Sequence, residues 1–337
     1  MQRDLNFDIL KCFAIWLMVL GHSNFNSEPA ITMIYAFHMP IFFFISGFFF
    51  KKRSFDVNLK KDLKSLIQPY FIASMMSFSV CWISPSIHPE LYPGIEGWLD
   101  IFCAAFVGMI LMDDTVTTYS FMPSGPLWFL PALFISRILF SFLLNASSVK
   151  KENWAIGLGI CCSIGLFFLF RAVHFFSIDS AFLSFPFVAI GYLFSKYKLL
   201  EKIRDKRFFP ILIIGFIYYY WSVIHNGAVS VDAGLYGNSL FLFYANALLG
   251  ILLLYYMVTF LKIYYKPLAV LGSNSLVVLI FHMYIIIVGK VVYTFLGGNV
   301  SEMPVLMSLI ISIMVMLFCI PVSKLVNDKY SFLIGKK

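Results

Sequence analysis

The residues of this chain that could do chemistry are few, and apolar sequence surrounds them. Asp8, Lys11 and His22 fall within Asp8-Ile-Leu-Lys-Cys-Phe-Ala-Ile-Trp-Leu-Met-Val-Leu-Gly-His22. The eleven-residue step from Lys11 to His22 is about three helical turns, so both lie on one face, roughly 16 Å apart. Asp8, Ile15 and Met18 continue the same stripe. A neutral imidazole is the usual general base near neutral pH and could take the proton of a hydroxyl as its oxygen attacks an acyl carbonyl. A cation on that face could bind phosphate or stabilise developing negative charge. Taken singly, His22 reads equally as a snorkelling interface residue and Lys11 as an anchor below a membrane. Length argues for more: only nine uninterrupted apolar residues run from Cys12 to Leu20, whereas a bilayer core needs about 20. A span that includes Lys11 and His22 carries ionisable groups at a cost that usually marks function.

A second stretch, Phe37-His38-Met-Pro40-Ile-Phe-Phe-Phe-Ile-Ser46-Gly47-Phe48, follows closely. Pro and Gly serve helix bending and close packing, but packing does not require the imidazole of His38. His282 lies inside Leu279-Ile-Phe-His-Met-Tyr284 and is either a structural or a substrate-facing histidine. The three histidines lack metal-type spacing, so no metal site is expected. Arg137 lies deep in its apolar run and needs an anionic partner, either Asp8 or a ligand phosphate. Trp128 is an interface aromatic or a stacking platform for sugar. Lys51, Lys52, Arg53, Lys60 and Lys61 are positive-inside charges that could also hold a nucleotide phosphate. Asn246 and Asn274 suit interhelical hydrogen bonds. Phosphate-cradling Gly-rich loops and a nucleophile elbow are absent from the sequence.

The elements that must position these residues follow from composition. Of 337 residues, 61% are hydrophobic and 12% charged, against roughly 45–50% and 25% in soluble domains. The chain is therefore an all-α, polytopic membrane helical bundle with a single domain over 1–337. Its net charge of +8 does not indicate nucleic acid: 21 of the 25 Lys and Arg lie in the termini or beside short loops at alternate crossings. The exceptions are Lys11, Arg137, Arg171 and Lys290. Apolar segments fall at 8–25, 33–50, 65–84, 98–112, 125–144, 154–170, 180–195, 208–225, 238–260, 269–289 and 303–322. The basic loops count about ten transmembrane helices with both termini cytoplasmic. Residues 85–124 then form one outer excursion, in which 98–112 is an additional short membrane-associated segment. The six cysteines read as core packing residues without disulfides, and the N-terminus as a retained span.

These residues resemble the acyltransferase-3 family of integral membrane O-acyltransferases. Four features carry the likeness: Lys11 and His22 with ten residues between them; the run from His38 through Ser46-Gly47; Pro126-Leu-Trp128-Phe-Leu-Pro-Ala-Leu-Phe134; and Leu271-Gly-Ser-Asn274-Ser-Leu followed by Phe281-His282. The family most often has Arg where Lys11 stands, and Lys keeps the charge but loses the bidentate fork. The resemblance implies ten helices, a cytoplasmic acetyl-CoA donor and a glycan hydroxyl acceptor, with His22 the catalytic base, Lys11 its partner on the donor path and His38 a second essential polar group. Arg137, Ser46, Lys51 and Lys52 are then candidates for the donor, and Trp128, His282 and Asp8 for the acceptor. Ending at Lys337, the chain is expected to be the type without a further esterase-like domain.

The expected function is acetylation of a surface polysaccharide, O-antigen or capsule, lipid-linked or polymeric, from within the bacterial inner membrane. A polysaccharide flippase or transporter is the first rival, weakened by the lack of an internal repeat. A non-catalytic partner of polysaccharide assembly is the second, and the same chemistry on a non-glycan acceptor the third.

Overall fold

The computed structural model describes residues 4–76, 125–171, 173, 175–203, 209–260 and 266–336. The expected outer excursion 85–124, its segment 98–112, and Cys81 and Cys103 lie outside the described residues. In chain order the helices are α1 (Leu5–His22), α2 (Glu28–Tyr35), α3 (Pro40–Phe48), α4 (Phe55–Asp62), α5 (Phe129–Ala146), α6 (Glu152–Phe170), α7 (Ile178–Lys196) and α8 (Leu199–Ile203). They continue with α9 (Phe209–Asn226), α10 (Leu240–Phe260), α11 (Lys266–Ser273), α12 (Ser275–Phe295) and α13 (Val305–Lys329). A two-residue hairpin, Val229–Ser230 against Leu235–Tyr236, is the β-structure among the described residues. Eight helical segments among them are long and apolar enough to cross a membrane. The architecture is all-α and multi-pass.

Chain contacts divide the protein into two compact units. The first comprises Met1–Phe50, Ile190–Val231 and Leu235–Lys329; the second comprises Lys51–Ala189, Asp232–Gly234 and Tyr330–Lys337.

In the first unit, α1 starts with Asp4 as N-cap, its carboxylate accepting from the Asn6 backbone N–H at 3.0 Å, which satisfies an otherwise orphaned donor. The expected single helix over 33–50 is two helices, α2 and α3, with turns at 36–39. Proline explains the break: Pro40 has no N–H to give, and its ring obstructs the carbonyl one turn earlier. The expected helix 269–289 is likewise divided, at Asn274, into α11 and α12. Gly272 lets α11 lie against α1, since a Cβ there would collide with the Asp8 carbonyl. Ala36, Phe37, Tyr219, Val223 and Leu253 form a buried cluster between α2, α9 and α10, and the Tyr219 hydroxyl donates to the Met33 carbonyl at 2.6 Å. Lipid is as apolar as these side chains, so tight packing and interhelical hydrogen bonds hold such helices together. Asn246 and Asn274 serve this role as expected, accepting from Ser222 at 2.7 Å and from Asn327 at 2.8 Å. Trp16 adds a bond to Ser312 at 3.2 Å, joining α1 to α13.

In the second unit, α4 and α5 run antiparallel and are joined by a ladder of polar contacts. Asn145 donates to the Arg53 carbonyl at 3.0 Å, Asn58 to the Ser141 hydroxyl at 3.0 Å, and Arg137 Nε to Asp62 Oδ2 at 2.9 Å. Asn58 and Asp62 are four residues apart, as are Arg137 and Ser141, so each pair lies on one helix face and the rungs match. Cys12 and Cys319 are buried, but Cys161 and Cys162 are exposed on α6. The core assignment of that pair is corrected: α6 leaves most of its surface uncovered.

Candidate active site

The chemistry-bearing residues of the first unit converge where the C-terminal end of α1, the α2–α3 break and the middle of α12 meet. His22 is the last residue of α1 and is half-buried. Its ring centre lies 5.4 Å from that of His282. His38, buried in the break, packs its ring 4.8 Å from Tyr35. His22 interacts electrostatically with both His38 and His282, so the three imidazoles form one cluster. Among the described residues, no three His, Cys, Asp or Glu side chains are placed to hold a metal ion.

Hydrogen bonds fix the tautomers of two of these rings. His38 Nδ1–H donates to the Ile34 carbonyl at 3.0 Å, which also accepts from the His38 backbone N–H at 3.0 Å. His282 Nδ1–H donates to the carbonyls of Val278 at 3.1 Å and Leu279 at 2.9 Å. Each neutral ring then carries its lone pair at Nε2. His282 is fully buried and its Nε2 has no hydrogen-bond partner among the described residues. A buried acceptor without a donor is costly, and a ligand hydroxyl or N–H would satisfy it.

Gly21 sets the spacing beside His22. A Cβ at this position would stand 2.9 Å from Tyr35 Cε2, so the absent side chain is what lets the Tyr35 ring lie against α1. Tyr35 in turn packs on His38. In the sequence, a small residue directly before His22 is the signal for this close approach.

Lys11 and His22 share a helix, but their side chains do not meet. Lys11 forms an ion pair with Asp8 at 2.9 Å, with Asp8 the more deeply buried partner. That carboxylate is therefore committed to Lys11, and the anion that Arg137 requires is Asp62, not Asp8. Asp62 was missed because it directly follows the Lys-rich stretch 51–61, which reads as solvated. Its one legible signal was the matching four-residue spacing of Asn58–Asp62 and Ser141–Arg137.

Of the remaining donor and acceptor candidates, Ser46 lies half-buried in α3 of the first unit. Lys51, Lys52, Arg137 and Trp128 belong to the second. There Lys51 is exposed, Lys52 pairs with Glu152 at 3.0 Å, and Trp128 is buried in a short 3₁₀ turn before α5. Lys51 and Lys52 are both exposed, and Lys52 and Arg137 already have carboxylate partners. The cleft of about 600 Å³ between α5 and α6, lined by Leu139, Phe142, Trp154 and Leu158, holds none of these residues.

Comparison with known proteins matches residues 4–324 to an acyltransferase domain. A nodulation protein NolL of Mesorhizobium japonicum is 24% identical over 209 residues, covering 58% of this chain and 48% of its own length. The nodulation protein NolL of Sinorhizobium fredii is 42% identical over 57 residues, or 14% of this chain and 16% of its own. The chain thus spans about half, or less, of the curated relatives it matches. No solved structure matches it.

Proposed function

This chain belongs to the acyltransferase domain family, and we propose that it moves an acetyl group from acetyl-CoA to a hydroxyl of a surface polysaccharide, O-antigen or capsule. The observation that carries the reading is the histidine cluster. A half-buried imidazole stands against a second, fully buried one whose free nitrogen can only accept a hydrogen bond.

In the proposed reaction, His22 takes the proton of the acceptor hydroxyl as that oxygen attacks the thioester carbonyl. The tetrahedral intermediate collapses with cleavage of the C–S bond. The imidazolium then returns its proton to the departing thiolate, leaving an ester and free coenzyme A. His282 Nε2 accepts a hydrogen bond from the acceptor sugar and orients it. His38, with its lone pair fixed at Nε2, is the second polar group of the cluster. Lys11, held by Asp8 at the opposite end of α1, lies on the donor path and attracts the anionic coenzyme. Ser46 on the neighbouring helix of the same unit is a further donor candidate. The basic loops at alternate crossings favour a bacterial inner membrane location with cytoplasmic termini, the donor inside and the glycan outside.

The experiment is acetyl content of the surface polysaccharide by proton NMR. A deletion strain is complemented with the wild-type chain or with His22→Ala at matched membrane levels. Restoration by wild type alone is the expected result. Unchanged acetylation in both would overturn the glycan acceptor, and equal restoration by both would overturn His22 as the base.

A further inference from the structure

We propose that Lys290 and Asn24 form a binding site for an anionic group, a carboxylate or a phosphate, carried by the acceptor. The inference rests on the acyl-transfer reading above and adds the chemical class of the substrate.

Lys290 lies within α12, which is long and apolar enough to span a membrane, and is half-buried. A charge in such a place is costly and is ordinarily paired. Its ammonium donates to Asn24 Oδ1 at 2.7 Å, and no carboxylate among the described residues pairs with it. The asparagine is a fixed partner. Its Nδ2 donates to the Val300 carbonyl at 3.1 Å, and its own carbonyl accepts from Ser308 Oγ at 2.9 Å. Its backbone is left-handed, with φ 56°, a conformation that asparagine tolerates better than most residues. The residue is thus anchored through both its side-chain amide and its backbone carbonyl. An ammonium has three donors; one is used here, and the others remain for a ligand.

The place of this pair gives it meaning. Asn24 follows His22 by two residues, and Lys290 follows His282 by eight. The end of α1 and the helix α12 therefore meet twice, once through His22 and His282 and again through Asn24 and Lys290. An acceptor whose hydroxyl reaches His22 would bring its neighbouring groups beside Lys290. The bond to Asn24 needs only a donor, and the positive charge adds an attraction for an anion. Acidic sugars carry a carboxylate, and lipid-linked glycans carry phosphate.

The test measures binding separately from turnover. Full-length protein in nanodiscs is heated with methyl glucuronoside, with glucose 1-phosphate, with a polyprenyl phosphate, or with methyl glucoside as the neutral probe, and the Tm shift is read. An anionic probe should stabilise wild type and Lys290→Arg. Its affinity for Lys290→Gln should be about tenfold weaker or more, equivalent to about 1.4 kcal/mol, while the neutral probe distinguishes none of the variants. Response to the glucuronoside assigns a sugar carboxylate, and response to the phosphates assigns a lipid-linked or phosphorylated glycan. No anionic shift, or an equal one in Lys290→Gln, overturns the proposal and leaves Lys290 as a clasp on the end of α1. Lys290-dependent binding without acetyl transfer to the bound probe would instead count against the catalytic reading alone.

Discussion

The ring of His282 lies 5.4 Å from the ring of His22 and is fully buried, with Nδ1–H bonded to two carbonyls of its own helix. Its Nε2 is thereby aligned before any substrate arrives. Replacing His282 by Asn preserves a side-chain donor for the carbonyls but loses the second nitrogen. Acetyl transfer by His282→Asn is expected to fall about tenfold to a hundredfold, mostly in kcat, with the amount of folded protein unchanged. Steady-state kinetics on detergent-purified protein check this. A loss confined to stability, with full kcat in the folded fraction, would make His282 a packing residue.

The Asp8–Lys11 pair predicts a split between charge and stability. Lys11→Arg should keep most activity, because Arg can reach the same carboxylate. Lys11→Ala strands a nearly buried carboxylate and should lose both activity and membrane level. Adding Asp8→Asn to Lys11→Ala should recover the level but not the activity if the charge acts on the donor. Immunoblot and transfer assays on the four chains separate the two effects, and recovered activity in the double variant would remove Lys11 from the donor path.

Gly21→Ala should push Tyr35 away from α1, since the new methyl would stand 2.9 Å from its ring. The displacement reaches His38, so activity should drop by about tenfold, the scale on which small displacements matter in catalysis. Expression should hold. Combining it with Tyr35→Leu, whose shorter side chain removes the clash, should return part of the loss, as measured by acetyl transfer per folded molecule.

Arg137 and Asp62 are a buried pair, 10% and 1% exposed in their side chains. Removing one charge from such a pair typically costs about 3–5 kcal/mol, so Arg137→Met should lower the unfolding midpoint in mixed micelles steeply. The double variant Arg137→Met with Asp62→Asn should regain much of it. If Arg137→Met instead leaves stability intact and raises KM for the donor, Arg137 belongs to coenzyme binding.

Much of this was legible in the sequence, and the rest fails for identifiable reasons. Membrane class and helical architecture follow from apolar runs, because a bilayer allows few alternatives. His22, His38 and His282 stood out as costly groups in apolar sequence. Their convergence did not, since nothing local to α1 or α12 encodes which faces meet. The break at 36–39 was implicit in Pro40, yet the apolar run across it read as continuous. Asp62 was hidden because a carboxylate among lysines looks solvated, and Cys161 and Cys162 because apolar sequence does not distinguish a protein core from a lipid-facing surface.

The interruption before Pro40 has a genetic consequence. The His38 ring and its own backbone N–H both bond the Ile34 carbonyl, so one residue both ties down the end of α2 and belongs to the histidine cluster. Selection for loss of function should treat the histidines unequally. Alleles at position 22 can accumulate as intact but inactive protein, whereas alleles at position 38 should vanish into quality control. A screen that scores only phenotype would rank the two positions alike, and only one that also counts surviving chains would tell them apart.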